Sequence, residues 1–98
     1  DEHRCNARLR VRTEASFRML YSVPFAKRNS TRGRVLVKDM SRKGIGILFH
    51  TQLWPTERFS LELHGRLVIA VVVRCRKIGP NCYETGAIIE SVQAINDI

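Results

Sequence analysis

Apolar and polar residues alternate along most of the chain. Phe17, Met19, Tyr21 and Val23 interleave with Ser16, Arg18 and Ser22. A period of two predicts a β-strand, and Pro24 stops it. Residues 25–34, FAKRNSTRGR, are polar and read as a loop or hairpin connection. Residues 34–38 form a second predicted strand, with Val35 and Val37 on one face. In the third, residues 45–49, Ile45, Ile47 and Phe49 alternate, while Gly44 and Gly46 leave room for something to approach the backbone. Residues 51–57 are a Pro-broken loop, and Phe59, Leu61 and Leu63 mark a fourth strand closed by Gly65. A long fifth strand, residues 66–77, is apolar on both faces through Val73 and turns half basic at Arg74 and Arg76. After the turn at residues 78–81 comes a sixth strand, residues 82–90. Residues 91–98 are expected to start at most a short helix, with Ser91 as its cap.

Six short strands at regular spacing predict an all-β, six-stranded antiparallel barrel or sandwich. Closing the sheet into a barrel removes its exposed edges. At 98 residues the chain is one domain, able to bury its own core. The expected division is a basic N-terminal arm at 1–12, a barrel at 13–90 and a tail at 91–98.

Charge sharpens this picture. Residues 1–43 carry 12 Lys+Arg against 4 Asp+Glu, while residues 44–98 carry 5 of each. The whole excess of +8 therefore sits in the N-terminal part, which points to a localised anionic partner such as a nucleotide, a nucleic acid or a membrane surface. Thirteen of the 17 bases are Arg, whose planar fork suits phosphates and guanine edges. The longest apolar run, residues 67–73, is too short for a membrane-spanning helix. Three cysteines, Cys5, Cys75 and Cys82, show no CxxC, so neither a disulfide framework nor a zinc ribbon is expected, and a reducing, cytoplasmic setting is favoured. No HExxH, GxSxG or GxxxxGK[ST] pattern is present, and the acids are scattered. The expectation is a binding module and not an enzyme, with no metal or cofactor.

One turn concentrates the remaining chemistry. Residues 39–44, DMSRKG, place Asp39, Ser41 and Gly44 between the second and third strands. Asp and Ser hydrogen-bond their own backbone in turns, and Gly accepts conformations closed to other residues. The spacing RxxxR occurs as Arg4/Arg8, Arg8/Arg12 and Arg28/Arg32.

The ordered pair of motifs, Arg4-Cys5-Asn6-Ala7-Arg8 ahead of the first strand and Asp39-Met40-Ser41-Arg42-Lys43-Gly44 between the second and third, resembles the PilZ domain family. The resemblance covers about residues 3–90, and Leu9 and Val11 suit the family's arm, which selects Arg4/Arg8 over the other two pairs. It implies a small bacterial antiparallel β-barrel that binds cyclic di-GMP through Arg4, Arg8, Asp39, Ser41 and Gly44. It also implies a contact to a base from the fifth strand, where Arg74 and Arg76 stand on one face. The family often has Arg immediately before RxxxR, at a position associated with binding one or two intercalated ligand molecules. Here that position is His3, so both stoichiometries stay open. The arm is expected to fold over the nucleotide and pass the signal to a fused domain or a protein partner. Two other readings stand beside this one. One is a small basic barrel binding nucleic acid, although single-strand binders use aromatic platforms and most of the seven aromatics fall on core faces. The other is a PilZ-like scaffold that mediates protein contacts only.

Overall fold

A computed structural model describes residues 13–28 and 30–95. Six antiparallel strands follow one another: β1 (Thr13–Tyr21), β2 (Arg32–Met40), β3 (Gly44–Phe49), β4 (Arg58–Leu63), β5 (Arg66–Gly79) and β6 (Cys82–Ala94). They close into a barrel in the order β1-β2-β3-β6-β5-β4. The described residues contain no helix, so none is long and apolar enough to cross a membrane. The arm at 1–12 lies outside the described residues, and with it Arg4, Arg8 and His3.

The period-two pattern builds the interior directly. Phe17, Val35, Ile47, Phe59, Leu61, Val68 and Val72 all point inward and are almost fully buried. The ring of Phe17 lies 4.6 Å from Phe49 and 5.2 Å from Phe59, centroid to centroid. Three phenylalanines thus fill the barrel's middle, and no ligand-sized channel runs through it. Thr85 is the polar exception: it is fully buried, and its hydroxyl donates to Cys75 Sγ at 3.3 Å.

The strands depart from the sequence expectation where pairing overrides local pattern. Strand β1 begins at Thr13, because Thr13 to Arg18 pair with Val37 to Arg32. Its register against β4 shifts between Met19 and Tyr21, which turns Tyr21 outward, while Val23 stays buried beyond the strand. Arg32 and Gly33 belong to β2 and not to the loop, since Arg32 pairs with Arg18, and Gly33 pairs with Phe17 and has the Phe49 ring packed against it. The tail does not start a helix at Ser91. Residues 91–94 extend β6 along Ile69 to Arg66, and the Ile95 amide donates to Gly65 O at 2.8 Å. A ready-made partner strand outweighs one capping residue. The cysteines also differ from expectation. Cys75 is a free thiol, but Cys82 is disulfide-bonded. Sequence spacing says nothing about which cysteines approach in space, so the cysteines do not argue for a reducing compartment.

One end of the barrel is tied by a buried carboxylate. Glu57 is fully buried in the loop before β4. It accepts from the Val23 amide (3.1 Å), the Ser22 hydroxyl (3.1 Å), the Trp54 amide (2.8 Å) and the Arg28 guanidinium. Arg28 also donates to Ser22 Oγ and to Gln52 O. The cluster joins the loop after β1 to the loop after β3. It commits Arg28 to the fold, so the RxxxR spacing at Arg28/Arg32 is not a free arginine pair. Burial alone pushes the Glu57 carboxyl up. The hydrogen bonds from Arg28, Trp54 and Val23, with the Arg28 charge, outweigh it and hold the carboxyl below its ordinary value of 4.5. A carboxyl lowered on folding contributes stability above its unfolded value, and that contribution is lost as pH falls through the folded value. Arg28→Ala should lower the unfolding free energy by about 3 kcal/mol at neutral pH, the scale for breaking a buried pair. Glu57→Gln should do the same and should also flatten the loss of stability on acidification below about pH 4.5. Urea unfolding as a function of pH reads both effects.

Candidate ligand-binding wall

The turn after β2 is built by its own side chain. The Ser41 amide donates to Gly44 O at 2.8 Å, and the Gly44 amide donates to Ser41 Oγ at 3.2 Å. The hydroxyl of Ser41 is therefore engaged in closing the turn, and Gly44 supplies the closing amide. The register between β2 and β3 shifts between Val37 and Asp39. This irregularity leaves Asp39 outside the barrel with its carboxylate exposed.

From Asp39, one row of directly opposed residues crosses four strands. Asp39 of β2 stands opposite Gly46 of β3, Gly46 opposite Gly86 of β6, and Gly86 opposite Arg74 of β5. Both glycines are covered by the charged side chains beside them. A Cβ at Gly46 would lie 2.8 Å from Asp39 Oδ1, and one at Gly86 would lie 3.1 Å from Arg74 Cζ. Each glycine is thus the reason its neighbour's side chain can lie flat on the sheet. The result is a smooth backbone floor with a carboxylate at one end and a guanidinium at the other. Adjacent strands are about 4.8 Å apart, so the row spans about 14 Å. The cleft above it has a volume of about 760 Å³.

A second row borders the first. Glu84 of β6 accepts from Lys38 Nζ at 2.8 Å and from Arg76 Nε and a terminal nitrogen, both at 2.8 Å. The hydrogen bond from Lys38, then that from Arg76, holds the Glu84 carboxyl below its ordinary value, against a smaller opposing effect of burial. The same Glu84 hydrogen bond raises the Lys38 ammonium above its own. Lys38 also stands 3.4 Å from Asp39. Arg74, by contrast, makes no hydrogen bond or ion pair with the described residues.

Asp39, Ser41, Gly44, Arg74 and Arg76 therefore converge on one outer wall of the barrel. Their roles differ. Asp39 and Arg74 face the cleft with capacity to spare, Ser41 and Gly44 shape the turn, and Arg76 is held by Glu84. Gly86, Lys38 and Glu84 are additions to the residues singled out by sequence. Gly86 carries a readable signal, a lone glycine inside a strand pattern. Lys38 and Glu84 carry none, since only the pairing of strands brings them together.

No family model, no curated protein and no solved structure matches the chain. The wall must be read from its own chemistry. Among the described residues no group of His, Cys, Asp and Glu is placed to hold a metal ion. What the wall offers is an acceptor-only group, several cationic donors and a flat surface between them, which suits a planar polar ligand carrying negative charge. Glu84→Gln should let the Lys38 ammonium titrate closer to its ordinary value of 10.5, read by NMR of the lysine side chain. An unchanged Lys38 titration would mean that Glu84 does not set it.

Proposed function

We propose that the chain is a cyclic di-GMP receptor module of the PilZ type. The observation that carries this reading is the row from Asp39 over Gly46 and Gly86 to Arg74. The N1–H and N2–H₂ edge of guanine donates to an ionised carboxylate such as Asp39. Arg74 can stack on a base or donate to its O6 and N7. Because the two glycines let Asp39 and Arg74 lie flat on the sheet, a planar ring can rest over them. Adenine has no N1–H and no 2-amino group, so it lacks the donors that Asp39 requires.

Two phosphates remain to be met, and Arg4 and Arg8 take that role in this proposal. Thr13 pairs with Val37, so β1 begins beside the strand end that carries Asp39. Four residues lie between Arg8 and Thr13, and the five residue steps reach up to about 17 Å in extended chain. The arm therefore has the length to bring Arg8 to the cleft. His3 is the residue that would distinguish a single bound molecule from an intercalated pair, and Arg76 is a second candidate for contact to a base. Closure of the arm over the nucleotide would pass the signal to a fused domain or a protein partner in the bacterial cytoplasm. The module binds and does not catalyse.

Calorimetry with cyclic di-GMP, cyclic di-AMP and a short single-stranded oligonucleotide tests this reading. Saturable binding of cyclic di-GMP alone is expected, with a stoichiometry of one or two per chain. Asp39→Ala, Arg8→Ala and Arg74→Ala should each weaken it by about 1–3 kcal/mol, the scale of a bidentate base contact. Gly86→Val should also weaken it by lifting Arg74 off the floor. Binding confined to the oligonucleotide, or affinity unchanged in both Asp39→Ala and Arg8→Ala, overturns the assignment.

A further inference from the structure

The apolar outer face of β5 plays no part in the ligand wall. Leu67, Ile69 and Val71 occupy successive outward positions and are half-buried, while Val73 beyond them is exposed. Ile88 on the adjacent β6 and Leu20 on β1, beyond β4, are exposed as well, at 55% and 46%. A strand of a filled barrel needs apolar residues on its inner side only, so this outer ridge is not explained by the core.

A groove of about 250 Å³ runs beside the ridge, across the outside of β1, β4 and β5. Leu20, Leu67 and Ile69 form its apolar part, and Arg18 and Arg32 form one rim. Those two arginines stand directly opposite each other on β1 and β2. Like charges in that arrangement repel. Neither guanidinium has an ion pair among the described residues, whereas the nearby Arg34 is paired with Glu14 and Arg58 with Glu90. Glu62 lines the groove from β4 and makes no ion pair with either arginine. The wall therefore carries an uncompensated basic rim, an apolar centre and one acid on its far side.

We propose that this groove is a docking site for an acidic amphipathic helix of a partner protein. At the groove β1, β4 and β5 are hydrogen-bonded to one another, so it offers no strand edge to which a partner could add, and side chains must carry recognition. Apolar residues at helical spacing sit on Leu20, Leu67 and Ile69, and carboxylates along one flank meet Arg18 and Arg32. Glu62 sets the direction by repelling the acidic flank from the other rim. A concave, half-buried centre favours an inserted helix over a membrane surface, for which protruding apolar side chains are needed.

Fluorescence anisotropy tests the site with three probes: a labelled amphipathic peptide with leucines on one helical face and glutamates on a flank, its lysine-for-glutamate counterpart, and anionic phosphatidylglycerol vesicles. The acidic peptide is expected to bind saturably and the lysine peptide at least tenfold more weakly. The double change Arg18→Glu and Arg32→Glu, at exposed positions, should weaken the acidic peptide at least tenfold and reverse the preference. Ile69→Ser should weaken both peptides, whereas Asp39→Ala should change neither. Cyclic di-GMP binding should be unaltered by the arginine reversals, so this site and the ligand wall fail separately. Absence of saturable peptide binding, equal affinity for both peptides, indifference to the arginine reversals, or binding to vesicles alone overturns the proposal.

Discussion

Closure of the six-stranded sheet on a filled interior constrains everything else in this molecule. The three central phenylalanine rings and the aliphatic side chains around them fill the barrel's middle, and the largest cleft, about 760 Å³, lies on an outer wall. Chemistry is therefore displaced to the outer walls. On an outer wall, alternation normally places a side chain at every second position, and the surface is rough. Glycine at Gly46 and Gly86 removes that roughness where β3 and β6 run side by side. A barrel that cannot admit a ligand thus acquires a flat external platform, with an acid and a base laid along it.

The two ends of the barrel divide the remaining work. At one end, buried Glu57 gathers two loops and uses Arg28 to neutralise its charge. A charge with so many partners rigidifies what it touches. At the other end, the Ser41–Gly44 closure holds a short exposed turn, and β1 and β6 begin and end beside it. The rigid loops thus lie at the opposite end of the barrel from the exposed turn and from Thr13, where β1 begins.

The outer walls also differ from one another in a way that net charge conceals. Lys38, Glu84 and Arg76 form a compensated row beside the platform, while Arg18 and Arg32 face each other with no acid paired to them among the described residues. The excess of +8 is thus not spread evenly over the surface. Part of it is neutralised by strand pairing, and part is left concentrated where it can attract a partner.

The period of two, carried by residues such as Phe17, Ile47 and Leu61, made the strands and their inward faces legible from sequence, because burial on one side of a pleat leaves that mark directly. The Asp39–Gly44 turn was legible for the same local reason: its hydrogen bonds join residues three apart. Register was not legible. Whether Tyr21 faces in or out, whether Ser91 starts a helix or prolongs β6, and whether Gly86 lies opposite Arg74 depend on where bulges fall between strands distant in sequence. Those bulges are settled by pairing energies summed over whole strands, which no short stretch of sequence contains. The sequence by itself determined a β-barrel with a polar turn beside Asp39 and a basic N-terminal stretch. Only the tertiary structure decided that Asp39 and Arg74 share one glycine-floored row, since the long-range pairing of β3 with β6 is what brings β2 and β5 onto the same wall.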